Sequence, residues 1–322
     1  MKIVYLKPQS TWRAELRSDT LWGLICWGIR YIWGEEQLFN MIAEFRSGNP
    51  PFLISSAFPY RVENGKAVCY LPKPLLKPFR LSHEELTPER MKSYKDYKKV
   101  KYLPLSVFKQ LVFGKLDEKT FFLDQESSWK NYIQIKPKPQ TYVHNTVDRL
   151  GGETEIYNAS VYSTGGADGL YFFLRVIDST YQKLLQALWP FWEHMGLGGD
   201  ASIGRGFFKI QEEETEELFP NEEGKRFITL SLYSPASDET TMLAKHKNDT
   251  WYKLELRKGR VGGKLFVTSH ILKQPILMFQ EGSSFPVVKK NFYGQVQLVK
   301  NVETLPHKIY QYGYAFPVFS IT

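Results

Sequence analysis

The run GLGGDASIGRG at residues 196–206 places five glycines in eleven positions and follows a helical pattern, not a strand. Upstream, Leu184, Leu185, Leu188 and Trp192 keep helical spacing over Ser179–Met195, with Pro190 expected to kink that helix or end its first part. Downstream, FFKI at 207–210 is strand-like. Phosphate loops and dinucleotide fingerprints run the other way, from strand into helix. Gly199, Gly204 and Arg205 come near the Walker A spacing, yet arginine stands where that motif needs lysine and Gly206 where it needs a hydroxyl. Nucleotide hydrolysis on a parallel sheet is therefore disfavoured.

The elements around the loop have an order. The chain has 322 residues, enough for two domains on a prior of roughly 150 each. Ile3 to Leu6 is an apolar run that stops at Pro8 and predicts a strand. Ser18-Asp19-Thr20 offers capping side chains to LWGLICWGIRYIW, which is apolar around most of its circumference and expected to be deeply packed. Gly23 and Gly28 within it suggest the close approach of another backbone. Strands are expected at 52–58 and 67–71, then an irregular, partly helical insertion from Pro72 to Pro139. The runs 155–162 and 169–177 read as paired strands. With the helix at 180–195 and a strand near 208 the order is βαββαβ. The fold class expected is α+β: a ferredoxin-like (RRM-like) domain over 1–211, with a long insertion at about 60–165 and the glycine-rich loop. Residues 212–223 hold seven glutamates and no basic residue, so an acidic linker is placed at 212–224. A second ferredoxin-like domain over 225–322 would use strands at 227–233, 251–256, 264–269, 295–299 and 314–319, with a helix near 238–246.

Aromatic residues make up 15% of the chain and the formal charge is +8, a pairing of planar faces with positive charge that suits a polyanion carrying bases. The surplus is local: residues 60–149 hold 18 basic against 10 acidic side chains. Concentrated cations release counterions when they meet phosphates, whereas scattered ones mostly aid solubility. Cys26 and Cys69 have no Cys or His at metal-ligand spacing, which points to a reducing compartment and to no metal. MKIVYLKPQS lacks the apolar core of a signal peptide, so a soluble, cytoplasmic protein is expected.

Each candidate site has a bland alternative. The glycine-rich loop is either a flexible turn or a place where backbone amides meet a ligand, with Ser202 and Arg205 as donors to phosphate or ribose oxygen. His144-Asn145-Thr146-Val147-Asp148-Arg149 precedes the paired strands and is expected at the base of a protruding hairpin; its His, Asn and Arg suit phosphates or base edges, or else cap a turn. Lys92 to Lys101, interleaved with Tyr94 and Tyr97, either grips a strand or is solvated surface. Lys253 to Lys264, including Lys258 and Arg260, surrounds Gly259, Gly262 and Gly263 as a second anion-facing loop. Asp19 reads as a helix cap and Asp200 as a turn residue. The histidines at 83, 144, 194, 246, 270 and 307 form no catalytic motif.

SDTLWGLICWGIRYIWGEE, HNTVDRLGGETEIYNASVYS and GLGGDASIGRGFF together resemble the RAMP superfamily of CRISPR proteins, nearest the fourth-subunit family of type III-A (Csm) effector complexes; GRVGG and YQYGYAF fit it more weakly. The resemblance implies a non-catalytic scaffold without cofactor that holds the repeat-derived 5′ handle of the guide RNA. Gly198, Gly199, Gly204 and Gly206 would grip the handle backbone, and His144 to Arg149 would lie beside a thumb-like hairpin that kinks the guide. Partners would be the large polymerase-like subunit and the adjacent RAMP backbone subunit. The alternative is a guide-processing, metal-independent endoribonuclease of the same superfamily, whose catalytic histidine usually comes early in the first domain; here none precedes His83.

Overall fold

The structure is a computed structural model of the chain. It describes residues 1–124, 128–148, 151–216, 218–219, 224–259, 261, 272–288, 290–300 and 308–321. In chain order the first part contains β1 (Lys2–Pro8), α1 (Ser18–Trp33), α2 (Glu35–Arg46), β2 (Phe52–Ile54), β3 (Phe58–Glu63) and β4 (Lys66–Pro72). Next come α3 (Pro88–Tyr97), β5 (Tyr102–Pro104), α4 (Leu105–Val112), α5 (Glu118–Leu123), β6 (Lys138–Val147) and β7 (Thr154–Ser163). The first part closes with β8 (Gly169–Val176), α6 (Thr180–Gln186), α7 (Leu188–Met195) and β9 (Phe208–Glu214). The second part holds β10 (Arg226–Thr229), α8 (Ser237–Lys245), β11 (Leu254–Arg257), β12 (Ile276–Phe279), β13 (Ser284–Pro286), β14 (Gln297–Lys300), β15 (Ile309–Gln311) and β16 (Pro317–Ser320).

The main sheet is antiparallel, in the order β5-β4-β3-β8-β1-β9, with β2 also on β8. The central strand β8 reads GLYFFLRV and its first six residues are buried, because a strand covered on both faces must be apolar on both. That requirement overturns the expected pairing of 155–162 with 169–177. β8 goes to the middle of the sheet, and β7 pairs instead with β6, residue for residue from Lys138↔Ser163 to Val147↔Thr154. β2 and β3 together replace the single strand expected at 52–58, broken at Ser55, whose hydroxyl accepts from Phe173 N at 2.9 Å.

Helix α1 buries one face, through Leu21, Trp22, Ile25 and Ile29. Gly28 admits side chains of α7, Leu188 and Phe191, rather than the backbone expected, and Gly23 has nothing within 4 Å. The expectation of deep packing fails at the C-terminal end, where Tyr31, Ile32 and Trp33 are exposed. Asp19 is not the cap either: the N-cap position falls on Arg17, and Asp19 holds Arg257 in a two-pronged ion pair of 2.9 and 3.0 Å and accepts from Gln311 Nε2 at 2.8 Å. Pro190 falls in the first turn of α7, where a missing N–H costs nothing, and α6 ends before it.

The acidic stretch taken as a linker begins as strand. β9 runs through Glu214, with Val4↔Glu212, Ile3↔Glu213 and Lys2↔Glu214 paired across to β1. Glu212 accepts from Lys2 Nζ at 2.5 Å and Trp189 Nε1 at 2.7 Å, so these glutamates are fixed by partners that composition does not reveal. Residues 217 and 220–223 lie outside the described residues, while Phe219 is buried against Phe108 and Phe173.

The second part has a three-stranded antiparallel sheet, β13-β10-β16, and the pairs β11–β12 and β14–β15. The strand expected at 264–269 lies outside the described residues. One core spans both parts: Ile228, Leu230, Tyr312, Phe316 and Val318 belong to the same buried cluster as Val4, Phe45 and Phe173. Beside it runs a polar seam in which Arg17 binds both Glu255 and Glu281, Gln280 Nε2 donates to Glu255 at 2.6 Å, and Ser56 Oγ donates to Glu281.

Candidate nucleic-acid interface

The glycine-rich loop joins α7 to β9 and is built in two tiers. The inner tier is closed: Leu197 is buried and donates to Gly206 O at 2.7 Å, and Gly206 N donates to Thr11 O at 2.8 Å. Gly206 has φ +77°, and a Cβ there would collide with the Leu197 carbonyl. Gly206 is therefore a packing glycine with its amide already engaged, which removes it from the set expected to meet RNA. In the outer tier, Gly198 (φ +91°) and Gly204 (φ +84°) need glycine for their backbone while a Cβ would meet nothing within 4 Å. Between them Asp200 is left-handed, a short 3₁₀ turn runs Ala201–Ile203, and Gly199, Ser202, Ile203 and Gly204 are exposed. The Arg13 side chain lies under Gly199 and its guanidinium pairs with Asp200, so Asp200 is a turn residue that also ties the loop to the β1–α1 connection.

The hairpin β6–β7 is ten pairs long and almost wholly exposed. Its base is anchored where Trp12 pairs with Tyr162, N–O distances 3.2 and 2.7 Å, and stacks on its ring. At the far end Asp148 N donates to Glu153 O at 2.8 Å and Gly152 (φ +70°) completes the reversal. His144 and Asn145 thus belong to the distal half of a strand, a correction to their expected place at the hairpin base. The Gly151-Gly152 pair makes the turn there, so the chain before it must be the outgoing strand. Arg149 lies outside the described residues.

Alternation along β6 sends neighbours to opposite faces. Val143, Asn145 and Val147 share one face with Ile156; Val143 is 69% and Ile156 74% exposed. Tyr142 and His144 share the other with Tyr157, and the His144 ring stacks on Tyr157 at 5.4 Å and 19°. Arg205 meets this second face. Its Nη1 donates to Thr11 Oγ1 at 3.3 Å, its Nη2 lies 3.4 Å from His144 Nε2, and its guanidinium carbon sits 4.9 Å from the Tyr142 ring centre. None of these partners is a carboxylate. The loop arginine and the hairpin histidine, 61 positions apart, therefore meet, and Tyr142 and Tyr157 join them. Tyr142 carries a signal the sequence did offer, the period-2 pattern of TYVHNTV, and Tyr157 lies in the run 155–162 that reads as strand.

The other expected contacts are not joined to this set by any described hydrogen bond or ion pair. Lys258 is exposed just after β11, Arg260, Gly262 and Gly263 lie outside the described residues, and Gly259 O accepts from Lys273 N at 2.9 Å. The tyrosines of the Lys92–Lys101 run are not free to stack on bases. Tyr97 is 1% exposed, packs on Trp129 and Phe122 and donates to Glu118 at 3.0 Å, while Tyr94 packs on Phe79 and Phe122. With Leu103 of β5 they form the small core of the insertion, at the β5 edge of the main sheet. Among the described residues no group of three or more His, Cys, Asp or Glu could hold a metal ion, and no helix is long and apolar enough to cross a membrane.

A family model of the RAMP superfamily matches residues 10–209, and one of the CRISPR Csm4 C-terminal domain matches residues 222–319. The chain is similar to a curated protein of Thermococcus onnurineus (strain NA1) described as CRISPR system Cms protein Csm4, with 28% identity, covering 98% of this chain and 95% of the relative. Its fold is similar to a chain of a Csm3–Csm4 subcomplex from a type III-A CRISPR-Cas interference complex, at TM-score 0.63 and 21% identity, with 99% of each chain covered. A chain of a Csm1–Csm4 cassette in complex with cA4 is similar at TM-score 0.57 and 21% identity, covering 99% of this chain and 97% of that one. The mixed α/β architecture with antiparallel sheets agrees with the family model that matches residues 10–209, and the chain belongs to the RAMP superfamily.

Proposed function

We propose that this chain is the non-catalytic, RNA-binding subunit of a type III-A CRISPR interference complex, holding the repeat-derived 5′ handle of the guide RNA. It would join the large polymerase-like subunit to the adjacent RAMP backbone subunit, in keeping with relatives described in Csm1–Csm4 and Csm3–Csm4 assemblies. The order β9-β1-β8-β3, with helices on the two crossovers, supports reading the first part as ferredoxin-like. In the second part, β16-β10-β13 with Trp251 bridged to Ser284 supports a reduced version of the same unit. The exposed end of α1, with Tyr31 and Trp33, offers apolar area for a partner subunit.

The observation that carries the RNA reading is the placement of Arg205. A cation with no carboxylate partner among the described residues sits between an exposed glycine loop and a hairpin face that carries an imidazole and two phenol rings. Amides at Gly198, Gly199 and Gly204 can approach a phosphate closely, Ser202 and Arg205 add donors, and the hairpin can part successive bases of a single strand. Replacing Arg205 with Ala is expected to cost about 1.5–3 kcal/mol of handle binding, as for a lost hydrogen bond to a charged group, and to lower the salt slope by ~0.7. Fluorescence anisotropy with repeat-derived RNA over a salt series measures both. Unchanged affinity and slope would remove the loop from the function. Discrete cleavage of that RNA in a chelating buffer, lost in His144→Ala, would replace the scaffold reading with the endoribonuclease.

A further inference from the structure

The stretch that supports the glycine-rich loop has a second concave surface on its other side. Thr11 and Arg13 contact the loop, while Trp12, Leu16 and Arg17 of the same stretch line a groove of about 780 Å³. That volume lies in the range of pockets for drug-sized ligands. Its remaining walls come from α3 and the β4–α3 connection, from the hairpin base at Lys136, Pro137 and Tyr162, and from Lys253, Gln280 and Glu281 of the second part.

The charge of the groove does not cancel. Seven basic and four acidic residues line it. Arg17 takes Glu255 and Glu281, Lys73 takes Glu118 at 3.2 Å, and Lys99 takes Asp96 at 2.6 Å. Among the described residues Lys98, Lys101, Lys136 and Lys253 form no salt bridge, against Glu15 as the one lining carboxylate left over. Phe79, Tyr102 and Tyr162 present half-buried rings among them. Lys98 lies 4.5 Å over the Tyr94 ring, and lysines that meet no carboxylate beside partly open rings suit a strand with phosphates and bases, whereas an acidic peptide uses the cations and leaves the rings unmatched.

We infer that the groove is a second single-stranded RNA subsite, which takes the length of strand that continues past the glycine-rich loop around the Thr11–Arg17 stretch. The inference rests on the loop binding RNA. Phosphates lie against Lys98, Lys101, Lys136 and Lys253, and bases lie against the rings.

The test uses the full chain, a short oligoribonucleotide that fills the loop alone and a longer one that reaches the groove. The variant Lys98→Gln/Lys101→Gln/Lys253→Gln changes three exposed side chains, and its thermal midpoint is compared with the parent to show that it folds. The salt slope of the long strand is expected to fall by about 2, at ~0.7 per phosphate for single strands, with the short strand unaffected, while Arg205→Ala lowers both. An unchanged slope for the long strand, with Arg205→Ala still effective, overturns the groove and leaves the loop reading intact. Loss of both strands in the groove variant with no effect of Arg205→Ala overturns the loop reading and the continuation with it. Displacement of the long strand by polyglutamate as readily as by competing RNA assigns the groove to an acidic protein and overturns the inference.

Discussion

Two arginines, at the seam between the parts and at the glycine-rich loop, meet the same solvent boundary with opposite partners. Arg17 is half-buried with two carboxylates, Glu255 and Glu281. Arg205 touches a hydroxyl, an imidazole and a ring. Burial works against the Arg17 charge, but Glu281 and Glu255 outweigh it and hold its pKa above the ordinary value. A guanidinium whose charge is consumed by carboxylates serves the fold, and one whose described partners include no carboxylate keeps its charge for a ligand. The comparison also separates the two groups of loop glycines: Gly206 belongs with the fold, Gly198 and Gly204 with the open side.

Removing the seam arginine should have the largest effect. Arg17→Ala strands Glu255 and Glu281 beside the core, and urea unfolding is expected to show a loss of about 3–5 kcal/mol, the cost of breaking a buried pair by deleting one partner. Stability within 1 kcal/mol of the parent (~1 kcal/mol being the scale of an exposed pair) would show that the seam behaves as surface. Second comes the contrast within the loop. Gly206→Ala combines a positive φ with a backbone collision and should cost about 3 kcal/mol or more, whereas Gly198→Ala, strained but uncrowded, should cost ~1–2 kcal/mol. Equal losses in thermal unfolding would erase the two-tier description.

The smallest expected effect is on acid stability. Burial would raise the Glu255 carboxyl, but hydrogen bonding and charge from Arg17 exceed it and hold the pKa below its ordinary 4.5. A carboxyl whose folded pKa is depressed adds stability that is present above 4.5 and disappears as pH falls through the lower folded value. Stability of the parent should therefore drop faster below pH 4.5 than that of Arg17→Ala. Parallel pH curves for the two proteins would mean that the seam carboxylates are not coupled to Arg17.

Much of the main sheet is legible in the sequence. The runs at 3–7, 67–71, 169–177 and near 208 are strands, and the helical spacing over 180–195 marks α6 and α7, because alternation and helical period are properties of a few neighbouring residues. Partner choice was not legible. The run 155–162 was recognised as strand but assigned to the wrong neighbour, and β6 was passed over because the prolines at 137 and 139 mask its start. Helix α2 was missed: EEQLFNMIAEFR has a weaker apolar stripe than α1, yet buries Leu38, Met41 and Phe45. The glutamates of 212–214 read as solvated linker because nothing nearby in sequence shows that Lys2, Gln186 and Trp189 await Glu212.

The amino-acid order alone determined most strands of the main sheet, the helices α1, α6 and α7, and that a helix leads into the glycine-rich loop. Those facts follow from short-range sterics and spacing. Only the tertiary structure decided that Arg205 meets His144, that Tyr94 and Tyr97 are core, and that Arg17 fastens the two parts. Each of these contacts joins residues from separate elements, and their distance is set by how the sheet stacks and pairs, which no local pattern encodes.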